Sequence, residues 1–130
     1  MTTGLASGIA NSILNALCRN VAWSQPAAFY VKLHTGDPGS AGTANAAGNT
    51  TRVAVTLSAA SGGSITNSAD VNWTNVGTAE TYSYVSFWDA SSSGTFLGSD
   101  DLATARAVLV GDNFTIPASS LTIAITPITA

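Results

Sequence analysis

Few side chains in this chain could do chemistry. His34 is the only histidine and Cys18 the only cysteine. Metal sites built on nitrogen and sulfur need several such ligands at short spacing, and no C-x-x-C or H-x-x-x-H pattern occurs. A nucleophile elbow would need a serine in G-x-S-x-G, and none of the serines lies in one. No glycine-rich stretch leads into the lysine that a phosphate loop requires. The acids are Asp37, Asp70, Glu80, Asp89, Asp100, Asp101 and Asp112. Asp37 precedes Pro38 and Gly39, Asp89 opens a serine-rich stretch, and Asp112 follows Gly111. At such places a short carboxylate bonds back to its own backbone and fixes a turn. Asp100 and Asp101 are the one adjacent pair, and without EF-hand-like spacing they make a poor calcium site. A glycosidase pair finds no support in the spacing. His34, next to a tight turn, reads as a hydrogen-bonding side chain that fixes a loop. Trp73, Tyr82, Tyr84 and Trp88 could line a sugar-binding face, although sheet core or interface is the commoner use of such residues. We expect no catalytic residue, no cofactor and no metal. His34, Gly36, Asp37, Gly39, Asp89 and Asp112 are expected as turn-forming residues.

These residues must be held by elements that the hydrophobic pattern outlines. From Thr3 to Val21, Leu5, Ile9, Ile13 and Leu17 recur every fourth residue, with Leu14 and Val21 widening the stripe. That period predicts an amphipathic helix within residues 1–22, with Thr2 or Thr3 as N-cap. Cys18 falls in its apolar pattern and reads as a buried thiol. Gly4 and Gly8 each weaken the helix by roughly 1 kcal/mol relative to Ala, so it must dock on something. After Pro26 the period changes to two. Phe29–Leu33, Val53–Leu57, Val71–Trp73, Tyr82–Trp88, Thr95–Gly98, Arg106–Val110, Phe114–Ile116 and 121–126 read as short strands separated by turns. In the 82–88 strand, Val85 and Phe87 face one way and Tyr82, Tyr84 and Trp88 the other, as in a central strand covered on both sides. Residues 82–98 form a hairpin, and residues 35–51 form a long neutral loop. About eight short strands after one helix predict a mainly β protein: an antiparallel, jelly-roll-like β-sandwich over residues 27–130, the whole chain forming one domain.

Composition narrows the function classes. Only 8% of the 130 residues are charged, against about 25% in an ordinary soluble domain. The surface must be built from Ser, Thr, Asn, Gly and Ala, which suits a protein packed against neighbours better than one free in solution. The formal charge is −3, and Arg19, Lys32, Arg52 and Arg106 are far apart in the sequence. Nucleic-acid binding is not expected, because phosphate neutralisation needs clustered cations. No basic region precedes an apolar one, so no signal peptide is expected. No apolar run approaches the ~20 residues that span a bilayer, so no membrane partner is expected either.

In order along the chain, the segment Ala28 to Gly39 ends in Leu33-His34-Thr35-Gly36-Asp37-Pro38-Gly39. Gly42-Thr43-Ala44-Asn45 follows, then Arg52-Val53-Ala54-Val55-Thr56, Phe87-Trp88-Asp89-Ala90, Thr95-Phe96-Leu97-Gly98 and Val110-Gly111-Asp112. This series resembles a family of small bacteriophage virion proteins, variously labelled tail-fibre-like, minor capsid or head-decoration proteins. The resemblance runs from residue 28 to about 125. It departs from the family pattern at Ala46, where an acid is usual, and at Val85-Ser86-Phe87, where a Gly-Ile or Gly-Tyr pair is usual. The resemblance implies a non-enzymatic β-sandwich on a symmetric particle, made in the host cytoplasm. The short chain, with no stalk, favours a decoration protein on the capsid surface, partnered by the major capsid protein and by copies of itself, a trimer first. A tail or tail-fibre protein is the alternative, and a carbohydrate-binding module a further one. Leu5, Ile9, Ile13 and Leu17 of the helix, with Asp37, Pro38 and Asn45 of the loop, are the expected interface.

Overall fold

A computed structural model of the chain describes residues 4–125 and 128. Among them lie one helix and nine strands: β1 (Gly4–Leu5), α1 (Ser7–Arg19), β2 (Tyr30–His34), β3 (Val53–Ala54), β4 (Ser64–Thr66), β5 (Val71–Trp73), β6 (Glu80–Trp88), β7 (Phe96–Val108), β8 (Phe114–Ile116) and β9 (Thr122–Ala124). The protein is mainly β, consistent with the expected β-sandwich. A five-stranded antiparallel sheet runs in the order β1-β7-β6-β2-β3. Two antiparallel ribbons, β4-β9 and β5-β8, supply the opposing apolar side chains.

Period-two alternation sends Val31 and Leu33 of β2, Val85 and Phe87 of β6, Val71 and Trp73 of β5, and Phe114 and Ile116 of β8 into one core. Its aromatic centre is Phe114, 5.8 Å from Trp73 and 5.1 Å, edge-on, from Tyr82. Side chains of this size contribute about 1.5–3 kcal/mol each when fully buried. Tyr82 departs from simple alternation. Between Tyr82 and Tyr84 the partner on β7 jumps from Arg106 to Asp101, and across this irregularity Tyr82 joins the same core as Val85 and Phe87, not the face of Trp88. As expected for a central strand, β6 is covered on both sides: Trp88 is buried on the second face against Phe96, 5.5 Å away.

The remaining differences from the sequence reading have local causes. Residues 95–98 and 106–110 do not form two strands; a single strand, β7, runs through Asp100, Asp101, Thr104 and Arg106. Its second half is mostly exposed, so the polar residues that hide it in the sequence are its solvent-facing part. β3 is only two residues long, and the chain from Thr56 to Ser61 holds on through backbone bonds such as Ser58 N–H to Thr66 O (2.8 Å). Helix α1 begins at Ser7, with Ala6 as its cap residue and no side-chain cap; the proposed caps Thr2 and Thr3 lie outside the described residues. Gly4 has φ +121°, outside the helical range, and Gly4 and Leu5 instead pair with Ser99 and Gly98 on the edge of β7. Ala6 N–H then donates to Leu97 O at 2.9 Å. Gly98 permits this approach, since a Cβ there would lie 2.5 Å from Gly4 O.

Candidate functional site

His34 ends β2 and is fully buried. Its Nδ1 lies 2.9 Å from Ala44 O, a pure acceptor, so Nδ1 carries the proton. Nε2 then accepts from the Ser86 hydroxyl at 2.7 Å, and Ser86 Oγ in turn accepts the Trp88 indole N–H at 2.8 Å. A chain of three bonds thus runs from β6 through β2 into the loop. Burial, the largest cause, pushes the imidazole below its usual pKa, and Lys32 pushes the same way; the carbonyl of Ala44 opposes. The Ser86–His34 contact has the elements of a nucleophile–base pair. With both residues buried and Nδ1 held by a backbone carbonyl, the arrangement joins a loop to a sheet.

The 35–51 loop is cross-braced. Asp37 Oδ1 accepts Gly39 N–H at 2.8 Å, closing the turn expected there. Asn45, at φ 52°, donates from Nδ2 to Asp37 O at 2.9 Å, and its own carbonyl accepts Thr35 N–H at 2.9 Å. Gly39, at φ +74°, needs to be glycine for its backbone. At Gly36 a Cβ would lie 3.2 Å from the Asn45 side chain, which would have to give way by a few tenths of an ångström. Two members of the expected interface therefore have internal duties: Pro38 is buried in its own chain, and Asp37 closes a turn. Asn45 is exposed while bracing the loop.

Two long-range contacts had no signal in the sequence. The Glu80 carboxylate accepts Gly48 N–H (2.9 Å) and Asn49 N–H (3.3 Å), tying the end of the loop to the start of β6. The Arg52 guanidinium stacks on Trp88, 4.0 Å from the ring centroid, and donates to Ala90 O (3.0 Å) and Ser93 O (2.6 Å). It holds the hairpin turn in which Asp89 Oδ1 accepts Thr95 N–H at 2.6 Å. Asp112 acts similarly, accepting Leu109 N–H at 2.8 Å. Asp100 accepts the N–H of Asp101 at 2.9 Å, and no group of three or more potential metal ligands exists among the described residues. Trp73, Tyr82 and Trp88 are buried, so they form no exposed sugar platform; Tyr84 is partly buried.

The helix differs from all of this. No residue of α1 is fully buried. Ile9 packs against the core and Ile13 is half-buried, but Leu14 and Leu17 are 56% and 78% exposed. Cys18 is exposed, not buried, because the helix leaves the sandwich after its first turns. Leu5 belongs to β1, not to the helical stripe. No helix is long and apolar enough to cross a membrane among the described residues.

Comparison with known families gives the class: the chain is a structural protein of bacteriophage virions. It belongs to the family described as podophage GP4 fiber I protein gp80, whose model matches residues 4–124. The match spans β1 to β9 and does not single out the LHTGDPG segment. A search of curated proteins finds no match.

Proposed function

We propose that this chain is a non-enzymatic structural subunit of a phage tail fibre, joined to its neighbours through α1. The observation that carries this reading is the fibre-family match over residues 4–124. It moves the balance from the capsid-decoration role, which the short chain favoured, towards the tail-fibre alternative. Two features add support. His34, Asp37, Asp89 and Asp112 are engaged in intrachain bonds, leaving no assembled acid–base pair among them. The exposed Leu14, Leu17 and Val21 form an uncharged strip suited to burial against another subunit. The adjoining partner is a second copy of the chain or another virion protein, with a homotrimer as the first arrangement to examine.

The experiment is localisation on intact particles with an antibody against the purified chain, followed by cryo-electron microscopy. Label and density on fibres are the expected result. Label confined to the capsid shell would overturn the fibre reading and restore the decoration role with the major capsid protein as partner.

A further inference from the structure

A cleft of about 640 Å³ opens between the start of α1, the segment that follows the helix, and the β6–β7 hairpin. Its wall includes Ser12, Trp23, Gln25, Asp89 and Phe96. The volume falls within the ~300–1,000 Å³ typical of small-ligand sites. Trp23 distinguishes it. The indole N–H groups of Trp73 and Trp88 are taken by Thr51 O and Ser86 Oγ, whereas that of the half-buried Trp23 has no partner among the described residues. Asp89 uses one carboxylate oxygen on Thr95 N–H, and no described residue bonds the other. Gln25 is exposed, and its amide makes no bond to a described residue.

Charge selects the ligand class. No Lys, Arg or His is among the described residues lining the cleft, so nothing there would hold an anion. Arg52 lies close enough to interact with the charge of Asp89, which discourages a cation at that carboxylate. What remains is an aromatic face beside unengaged donors and acceptors with little net charge. Polarised C–H bonds of a sugar ring pack on the electron-rich face of an indole, and its hydroxyls bond to carboxylate and amide groups.

We propose that this cleft is a binding site for a neutral saccharide, with Trp23 as the stacking face and Asp89 and Gln25 as hydroxyl partners. The proposal stands on the cleft's own residues and holds whether the chain sits on a fibre or on the capsid. The earlier candidates Trp73 and Trp88 are excluded from such a role by burial; Trp23 takes it over.

The test titrates the full chain with glucose, galactose, mannose, N-acetylglucosamine, lactose and cellobiose, read by indole fluorescence and saturation-transfer NMR. At least one probe is expected to bind saturably, with an affinity insensitive to added NaCl. Trp23→Ala is expected to weaken that binding by about tenfold or more and to remove the fluorescence change. Asp89→Asn, which keeps an oxygen for Thr95 N–H, is expected to weaken it several-fold. If Trp23→Ala fails to fold by circular dichroism, Trp23→Phe and Gln25→Ala replace it, each with an expected loss of about threefold. No saturable probe, unchanged affinity in the folded variants, or displacement of the sugar by spermidine would each overturn the proposal.

Discussion

In β2 and β6, Val31, Leu33 and Val85 are sealed at 0% exposure, while in α1 Leu14 and Leu17 stand 56% and 78% exposed. Both regions are rich in apolar residues, and a hydropathy scan would treat them alike. Their surroundings separate them. The strands are held by ladder bonds and by side chains that reach loop backbone: His34 the following loop, Glu80 the end of that loop, and Arg52, beside β3, the hairpin turn. The helix is anchored at its start by the β1–β7 pairing and by Ile9, and it projects beyond that point. Apolar side chains in the first region specify the fold; in the second they are available to a neighbour.

The sharpest way to probe this contrast is to cut the core. Trp73→Ala is expected to lower stability by about 3–5 kcal/mol in urea unfolding, because it empties a fully packed site and frees Thr51 O. Asn67→Ala should follow at about 3 kcal/mol by the same measurement. Asn67 is fully buried and bonds Ala69 O, Pro117 O and Leu121 N–H, all at 2.9 Å, so its removal orphans three backbone groups.

The third prediction concerns pH. His34 resists protonation when folded, whereas the unfolded chain takes up the proton near pH 6.5. Its contribution is therefore complete above that pH and is lost as pH falls towards the lowered folded value. The slope approaches about 1.4 kcal/mol per pH unit at most. Asp100, raised by burial, acts in the opposite sense. Unfolding free energies measured from pH 7.5 to 5 should show the slope in the parent chain and a flatter profile in His34→Gln.

Smaller effects are expected towards the surface. Arg52→Ala should cost about 1 kcal/mol, because the guanidinium is only partly buried while it holds the hairpin turn and covers Trp88. The double change Leu14→Ser and Leu17→Ser should alter monomer stability by no more than about 0.5 kcal/mol. It should nonetheless reduce self-association in light scattering. A large loss of stability there would erase the distinction between the two regions.

Much of the frame was legible in the sequence. β8 was read to the residue, the β6–β7 hairpin followed from its alternation, and the helix followed from Ile9, Ile13 and Leu17. Asp37, Asp89 and Asp112 were readable as turn formers because their partners lie within a few residues. What escaped depends on distance along the chain. Glu80 meets Gly48, and Arg52 meets Trp88, only after folding. The helix start was misplaced because Leu5 suits the apolar stripe equally well as a strand residue, and the edge of β7 decides the matter. Alternation alone puts Tyr82 on the Trp88 face, because the irregularity between Tyr82 and Tyr84 leaves no mark on composition. The cleft beside Trp23 was invisible because its walls come from three separated segments.

The pairing of Leu5 with Gly98 has a consequence for biosynthesis. Gly4 and Leu5 acquire their strand partners only once residues 98 and 99 have been made. Until then the helix and its apolar stripe have no sheet edge to hold them. The helix is thus made well before it is secured, and closing so long a loop carries an entropic delay. Nascent copies are most vulnerable to premature association in that interval, through the same side chains we assign to assembly of the finished particle.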